Sequence, residues 1–350
     1  MNTHQLSSAR LDKFKKVVTE ATNGFAVILT QVDPDAIGSA LGMAYLLKLI
    51  RGRNDVVIYY CGPVSHKQNQ VAMTRYGLYD VFRPIKNWKD DENRHVVLVD
   101  SSKMADARLG FELKASPIVV IDHHRDKDVV ETDSSFVWVE DVGAASTMVT
   151  ELLSALRVDF SSLDPVIPTM LALGIRTDTD NLLRGGKRDR HAQALVEEVV
   201  NEREFRQLFN YPLPPSYYRN LKRSLEQVSQ NSARLVTNIG IVPADMSDDI
   251  STISDLMIRW DGVSLVVVWC ILEKEKRVRV SARNTDSSRD LGNFLRERFG
   301  PHCGAKVTED GDGIGGGNLT LDFGFWFNAE TTEETEKLVS KFMTSSVFRD

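Results

Sequence analysis

The chain has 350 residues, 42% of them hydrophobic, and a formal net charge of −6. That length favours two domains with real cores, and the acidic balance excludes a general nucleic-acid-coating surface, which needs a basic excess. Cys61, Cys270 and Cys303 are odd in number and show no CxxC spacing, which argues against a disulfide framework or a zinc finger. The stretch from Met1 to Lys16 is polar and charged, and no apolar run approaches the roughly 18 residues of a membrane span. A reducing cytoplasm is the expected compartment.

In chain order, Leu11, Phe14, Val17, Val18 and Ala21 recur at helical spacing and predict an amphipathic helix within residues 1–23. Residues 24–185 alternate apolar strands with helical stretches such as 36–50 and 145–156, the pattern of an α/β, doubly wound, mostly parallel sheet. Residues 187–232 lose the strand pattern and become charged and helical, interrupted by Pro212, Pro214 and Pro215, so a helical connection over 201–232 is expected between a first domain, 1–200, and a second, 233–350. In the second, 235–242 and 264–272 read as strands. Glu273-Lys274-Glu275-Lys276 is a polar turn into the alternating 277–283, so a hairpin is expected. A helix over 288–299, a glycine-rich loop with five glycines between Gly311 and Gly317, a strand over 319–327 and a helix over 331–343 complete a smaller α+β domain with a mixed or antiparallel sheet. The substrate cleft is expected between the domains. Trp138, Trp260, Trp269 and Trp326 are expected in the cores.

The chemistry concentrates where apolar runs end. Ile118-Val119-Val120-Ile121 runs into Asp122-His123-His124, and a run that is apolar throughout is a strand covered on both faces. Phe25-Ala26-Val27-Ile28-Leu29 leads to Asp33-Pro34-Asp35, Val96-Val97-Leu98-Val99 to Asp100, and Met170-Leu171-Ala172-Leu173-Gly174-Ile175 to Asp178. Open α/β sheets bind ligands at the carboxyl ends of their strands, so Asp33, Asp35, Asp100, His123 and Asp178 form one candidate ligand set. Carboxylates with imidazole and no thiolate suit Mn²⁺, Mg²⁺ or a similar ion. Without a cation, packing four carboxylates together costs heavily through repulsion. A two-metal site about 4 Å across activates water and stabilises a leaving phosphoryl oxygen. An aspartate in a strand-to-helix loop is also a common helix N-cap, a reading that stays open for Asp33 and Asp35. The basic run Arg184-Gly185-Gly186-Lys187-Arg188-Asp189-Arg190 is either a solvated turn or, through Arg184, a phosphate contact.

Asp33-Pro34-Asp35-Ala36-Ile37-Gly38-Ser39, Asp100-Ser101-Ser102, Asp122-His123-His124 and Gly174-Ile175-Arg176-Thr177-Asp178-Thr179 resemble the four ordered motifs of the DHH phosphoesterase superfamily. Arg279-Val280-Ser281-Ala282-Arg283 and the late glycines resemble its DHH-associated C-terminal domain. The look is that of nanoRNase-type enzymes, oligoribonucleases that degrade very short oligoribonucleotides and often dephosphorylate 3′-phosphoadenosine 5′-phosphate. Related members hydrolyse cyclic-dinucleotide products, polyphosphate or pyrophosphate.

The resemblance implies a metal-dependent phosphodiesterase or phosphatase. Asp35, Asp100, His123 and Asp178 would form one Mn²⁺ site with Asp100 bridging, and Asp33 and Asp100 would contribute to the other. His124 would face the substrate phosphate. Asp122 would orient an imidazole. Ser281, Arg283, Gly316, Gly317 and Asn318 would hold the phosphate or nucleotide. The partners implied are a short oligonucleotide or nucleotide phosphate and a second copy in a homodimer, with no long duplex nucleic acid and no membrane.

Two positions depart from the family's pattern. Leu29 stands where a histidine is usual, four residues before the first motif aspartate, leaving Gln31 as the nearest polar candidate. Asn318 stands where Gly-Gly-His usually ends. These losses motivate a competing reading, a nucleotide-binding or regulatory protein with weakened chemistry.

Overall fold

The computed structural model describes residues 6–349 except 63, 92, 104–108, 110–112, 114–115, 125–128, 308–312 and 320–331. Contacts divide the chain into two compact units, Met1–Pro212 and Leu213–Asp350.

In the first unit, β1 (Phe25–Leu29), β2 (Val56–Tyr60), β3 (Phe82–Pro84), β4 (His95–Val99), β5 (Val119–Asp122) and β6 (Phe136–Val139) form a sheet in the order β3-β2-β1-β4-β5-β6. Every pairing is parallel. The strands are apolar along their length because both faces are covered: Val27, Leu29, Val97, Val99 and Ile121 enter one core, and Ala26, Ile28, Val96, Leu98 and Val120 the other. The order runs one way from β1 to β3 and the other way from β4 to β6. The carboxyl ends of β1 and β4 therefore flank a topological switch point, where open α/β sheets bind ligands.

The helices here are α1 (Ser8–Glu20), α2 (Pro34–Arg51), α3 (Lys67–Arg75), α4 (Leu78–Val81), α5 (Ala145–Ala155), α6 (Val166–Asp178), α7 (Lys187–Glu197) and α8 (Glu202–Phe209). Local chemistry sets the bounds of α2. The Asp33 side chain caps its first turn, Pro34 fits the N1 position, and Gly52 takes the left-handed conformation that ends it, φ 63°. The fourth apolar run, 170–175, is the buried core of α6 rather than a strand. A short apolar run does not distinguish the two. Here α6 packs closely on α2, and a β-carbon at Gly38 would sit 2.6 Å from the Met170 carbonyl oxygen.

The second unit carries α9 (Pro215–Glu226), β7 (Ser229–Asn231), β8 (Arg234–Val242), α10 (Asp249–Met257), β9 (Leu265–Leu272), β10 (Arg277–Asn284), α11 (Leu291–Phe299), β11 (Cys303–Val307), β12 (Gly313–Asn318) and α12 (Thr332–Phe348). Its sheet runs β11-β12-β10-β9-β8-β7 and is mixed: β8 and β9 pair in parallel, the other pairs antiparallel. The expected hairpin is β9–β10, joined through 273–276. Apolar side chains on one face meet α11 and α12, and those on the other meet α10.

The described part of the glycine cluster is strand β12, not a loop; residues 311 and 312 lie outside the described residues. Close packing explains the composition. A β-carbon at Gly315 would meet Leu295 Cδ1 at 2.6 Å, one at Gly316 the Val280 carbonyl oxygen at 2.3 Å, and one at Gly317 the His302 carbonyl oxygen at 2.3 Å. The strand expected over 319–327 lies outside the described residues from 320 onward, with Trp326. Trp138 and Trp269 are buried, while Trp260 is 42% exposed in the loop after α10. The three cysteines are buried, and none of them forms a disulfide. Among the described residues no helix is long and apolar enough to cross a membrane.

Candidate metal centre

The ends of β1, β4 and β5 and the last residue of α6 bring their polar side chains to one place. His123 Nε2 lies 3.2 Å from Asp100 Oδ1, 3.5 Å from Asp178 Oδ2 and 3.7 Å from Asp35 Oδ2. His124 Nδ1 lies 3.7 Å from Asp100 Oδ1. Two overlapping groups, Asp100–His123–His124 and Asp35–His123–Asp178, each offer ligand atoms within 4.8 Å of one another.

Asp35 and His123 are each held by groups outside the cluster. The first turn of α5 donates to Asp35 from two backbone amides, Ala145 N and Ser146 N, each at 2.7 Å. Gly174 makes that approach possible, because a β-carbon there would stand 2.7 Å from Asp35 Cα and 2.6 Å from Ser146 Oγ. His123 Nδ1 faces the Val142 carbonyl oxygen at 3.1 Å. A carbonyl only accepts, so Nδ1 carries a proton, which leaves Nε2 as the ring atom that would ligate a cation. Asp100 follows β4 with φ 53°, a left-handed conformation that costs about 1–2 kcal/mol in a non-glycine residue. Strain of this kind persists where the surroundings over-determine it.

Asp122 supports rather than joins the set. His124 donates to Asp122 Oδ1 from Nδ1 at 2.7 Å and from its backbone amide at 3.2 Å. Burial favours the protonated acid, but hydrogen bonds from His124 and Ser102 outweigh it and hold the Asp122 carboxyl below the usual range. Asp33 is the N-cap of α2, accepting from Ala36 N at 3.0 Å, and its other oxygen accepts from Gln31 Nε2 at 3.1 Å. It lies outside both ligand groups, yet its charge reaches Asp178.

The electrostatics are those of crowded anions. Desolvation, then the charge of Asp100, raises the Asp35 carboxyl. Desolvation, then the charges of Asp35, Asp33 and Asp100, pushes Asp178 well above the carboxylate range. Burial favours a neutral His123, but the Asp100 contact and the surrounding carboxylates push it up to about 10. Asp100 Oδ1 and His123 Nε2 are buried without an aligned hydrogen-bond partner. Buried polar atoms are rarely left this way, and a divalent cation fits them: oxygen and imidazole donors converge on one point, and their charge calls for a positive centre.

The other expected site residues sit elsewhere. Leu29 is fully buried among Val27, Val99, Ile121 and their neighbours, so its position faces the core rather than the cluster. Leu29 shares a face of β1 with Val27, while Gln31 lies past the end of the strand and donates to Asp33. Of the basic run, Arg184 lies 3.8 Å from Asp180. Arg188 is structural: it donates to both oxygens of Glu151, pairs with Glu140 and lies over the Trp138 ring. Asp189, 1% exposed, ties down the loop before α5 by accepting from Gly143 N and Thr147 Oγ1. In the second unit Ser281, Gly316, Arg283 and Asn318 share the β10–β12 ladder, Ser281 opposite Gly316 and Val280 opposite Gly317.

Sequence reasoning missed the supports: the Ala145 and Ser146 amides, the Val142 carbonyl, and Asn69, whose Nδ2 donates to the Val32 carbonyl oxygen at 2.7 Å. Backbone groups leave no trace in residue type. The run Gly143-Ala144-Ala145-Ser146 at a helix start was the one available signal.

A parallel sheet with a carboxylate–imidazole cluster at its switch point defines an α/β protein whose side chains could hold a divalent metal. Residues 26–175 match the family model described as DHH family, N-terminal domain. It is 28% identical over 282 residues to the A-adding tRNA nucleotidyltransferase of Aquifex aeolicus, covering 77% of this chain and 31% of that one. It is 23% identical over 290 residues to the cyclic-di-AMP phosphodiesterase PdeA of Listeria monocytogenes, covering 77% and 42%. The chain thus spans less than half the length of either relative. Among solved structures, an exopolyphosphatase-related protein from Bacteroides fragilis aligns over 98% of both chains with a TM-score of 0.73 at 14% identity, a likeness of fold.

Proposed function

We propose that the protein is a metal-dependent phosphoesterase acting on short oligonucleotides or a small nucleotide phosphate, with manganese as the working ion. The observation that carries this reading is the convergence of Asp35, Asp100, His123 and Asp178, with Asp100 Oδ1 and His123 Nε2 buried and unmatched by any aligned donor or acceptor. The phosphodiesterase named among the relatives supports the reaction class.

Divalent metal held at this centre supplies Lewis acidity, which activates water and stabilises a leaving oxygen. The chain's own residues do the rest. Asp100, which lies against both histidines, would hold the metal together with Asp35, His123 and Asp178. The Val142 carbonyl, facing Nδ1, favours the tautomer of His123 that ligates. Asp122 holds Nδ1 of His124, which makes Nε2 the ring atom that meets a phosphate oxygen. In the second unit Arg283 and Ser281 are assigned to the phosphate, with Gly316, Gly317 and Asn318 lining the nucleotide. Arg184 is the first-unit contact assigned to the phosphate backbone.

Incubating the full chain with a diadenosine monophosphate bearing a 5′-phosphate (pApA), with and without Mn²⁺, tests the reading. Mononucleotide release that needs Mn²⁺ and disappears in His123→Ala is expected. Release that is equal in His123→Ala, or none from pApA, 3′-phosphoadenosine 5′-phosphate or pyrophosphate, contradicts it.

A further inference from the structure

Arg283 is not waiting empty-handed. Its Nε donates to Asp255 Oδ1 at 2.5 Å, its Nη1 to Ser281 Oγ at 3.2 Å and to the Ala282 carbonyl at 2.9 Å, and its Nη2 to the Ser251 carbonyl at 3.4 Å. The side chain is 11% exposed, while that of Asp255 is 54% exposed. The two edges of the guanidinium therefore differ. The Nη1 side is anchored by β10 itself. The edge formed by Nε and Nη2 meets one exposed carboxylate oxygen and one long backbone contact. That edge presents two parallel N–H bonds, the geometry that phosphate fills bidentately.

Asp255 sits late in α10, next to Leu256, on the exposed side of a helix whose Ile250, Ile253 and Met257 are buried. Moving its side chain disturbs no core. Asp255 is the exposed partner, so solvent screens its charge and ordering its side chain costs entropy, which leaves the pair exchangeable. The anchors at Ser281 and Ala282 keep the guanidinium in place when Asp255 leaves.

We propose that Asp255 is an exchangeable anion on Arg283: it occupies the edge that a substrate phosphate takes, and so sets the affinity of the second unit for phosphate. This rests on the assignment of Arg283 to phosphate. Asp255 then acts through Arg283 as a competing and positioning residue, with no contact to the reacting atoms. It also blunts the pull of Arg283 on singly charged or weakly placed anions, which makes the site favour a group able to offer two oxygens and more than one charge.

The test uses the full chain with Mn²⁺ and adenosine 5′-O-thiomonophosphate, whose terminal group resists hydrolysis, in equilibrium dialysis. Removing an exposed competing charge tightens binding about two- to fivefold in Asp255→Asn. Arg283→Ala weakens binding about tenfold or more, and Asp255→Asn/Arg283→Ala binds no tighter than Arg283→Ala alone. Tightening that persists in the double variant, or Asp255→Asn binding equally or more weakly while Arg283→Ala is weakened, overturns the exchange and leaves the assignment of Arg283 standing. Wild-type affinity in Arg283→Ala removes that assignment as well. Thermal melting of each variant separates these outcomes from misfolding, and Asp255→Glu, which restores the charge, is expected to return affinity to the wild-type value.

Discussion

The charged groups of the two units are arranged in opposite ways. Around the ends of β1, β4 and β5, acceptors crowd acceptors: carboxylates from three segments converge on an imidazole, the carboxyls of Asp35 and Asp178 are raised, and buried polar atoms lack aligned partners. On β10, two arginines are already answered: Arg283 by Asp255, and Arg279 by Asp248 at 2.9 Å and Ser247 at 2.5 Å. The first arrangement is costly until a cation enters. The second is stable as it stands and takes a ligand by exchange. Metal is thus expected to change the stability of the first unit strongly, and anions to change the second one weakly.

The sharpest way to break this contrast is Asp100→Ala. Loss of the carboxylate that touches both histidines is expected to lower Mn²⁺-dependent turnover about a hundred- to a thousandfold, and to abolish the rise in melting temperature that Mn²⁺ confers. Turnover within a few-fold of wild type, measured under saturating Mn²⁺, would remove Asp100 from the centre.

Leu29→His probes the same region from its apolar side. The usual histidine of the family would here enter the core with Val27 and Val99. The expectation is destabilisation by about 2–4 kcal/mol in urea titration, from a buried unsatisfied imidazole, with no gain in Mn²⁺ affinity. A folded variant that binds Mn²⁺ more tightly would show that the strand end opens toward the metal.

Arg283→Ala carries the contrast to the second unit. Substrate affinity is expected to fall by about 1.5–3 kcal/mol, with metal content by elemental analysis unchanged. Loss of metal in this variant would mean that the two arrangements are not separate.

The smallest effect is a gain. Crowding raises the pKa of Asp178, so its ionised form opposes folding above the ordinary carboxylate pKa. Asp178→Asn removes that repulsion and is expected to stabilise the metal-free protein at neutral pH by about 1 kcal/mol or less. Scanning calorimetry in chelator would detect it, and a lower melting temperature would show that Asp178 is held by attraction instead.

Much of this was legible because the carriers are residue types in a pattern. Unbroken apolar runs marked the parallel strands, and Asp33-Pro34 marked the start of α2 by its cap and its proline. Asp35, Asp100, His123 and Asp178 stood out because acids rarely follow core strands so regularly. Other features were hidden for physical reasons. The run at 170–175 is apolar as strand or helix alike, and only packing against α2 decides. The glycines of β12 resemble a phosphate loop in composition, but they relieve contact with Val280, Leu295 and His302. Arg188 resembles a ligand-facing base, yet its partners Glu140 and Glu151 lie 48 and 37 residues away and leave no local trace. Asp255, likewise, is an unremarked acid on a helix until β10 is folded beside it.

The central claim is that the cluster is a metal centre. Elemental analysis after Mn²⁺ loading and extensive dialysis tests it most directly, on wild type, His123→Ala and Asp100→Ala in parallel. The account predicts about two divalent ions per wild-type chain, and a clear loss of metal in both variants with folding intact by circular dichroism. A wild-type chain that retains no metal, or variants that retain as much as wild type, would contradict it.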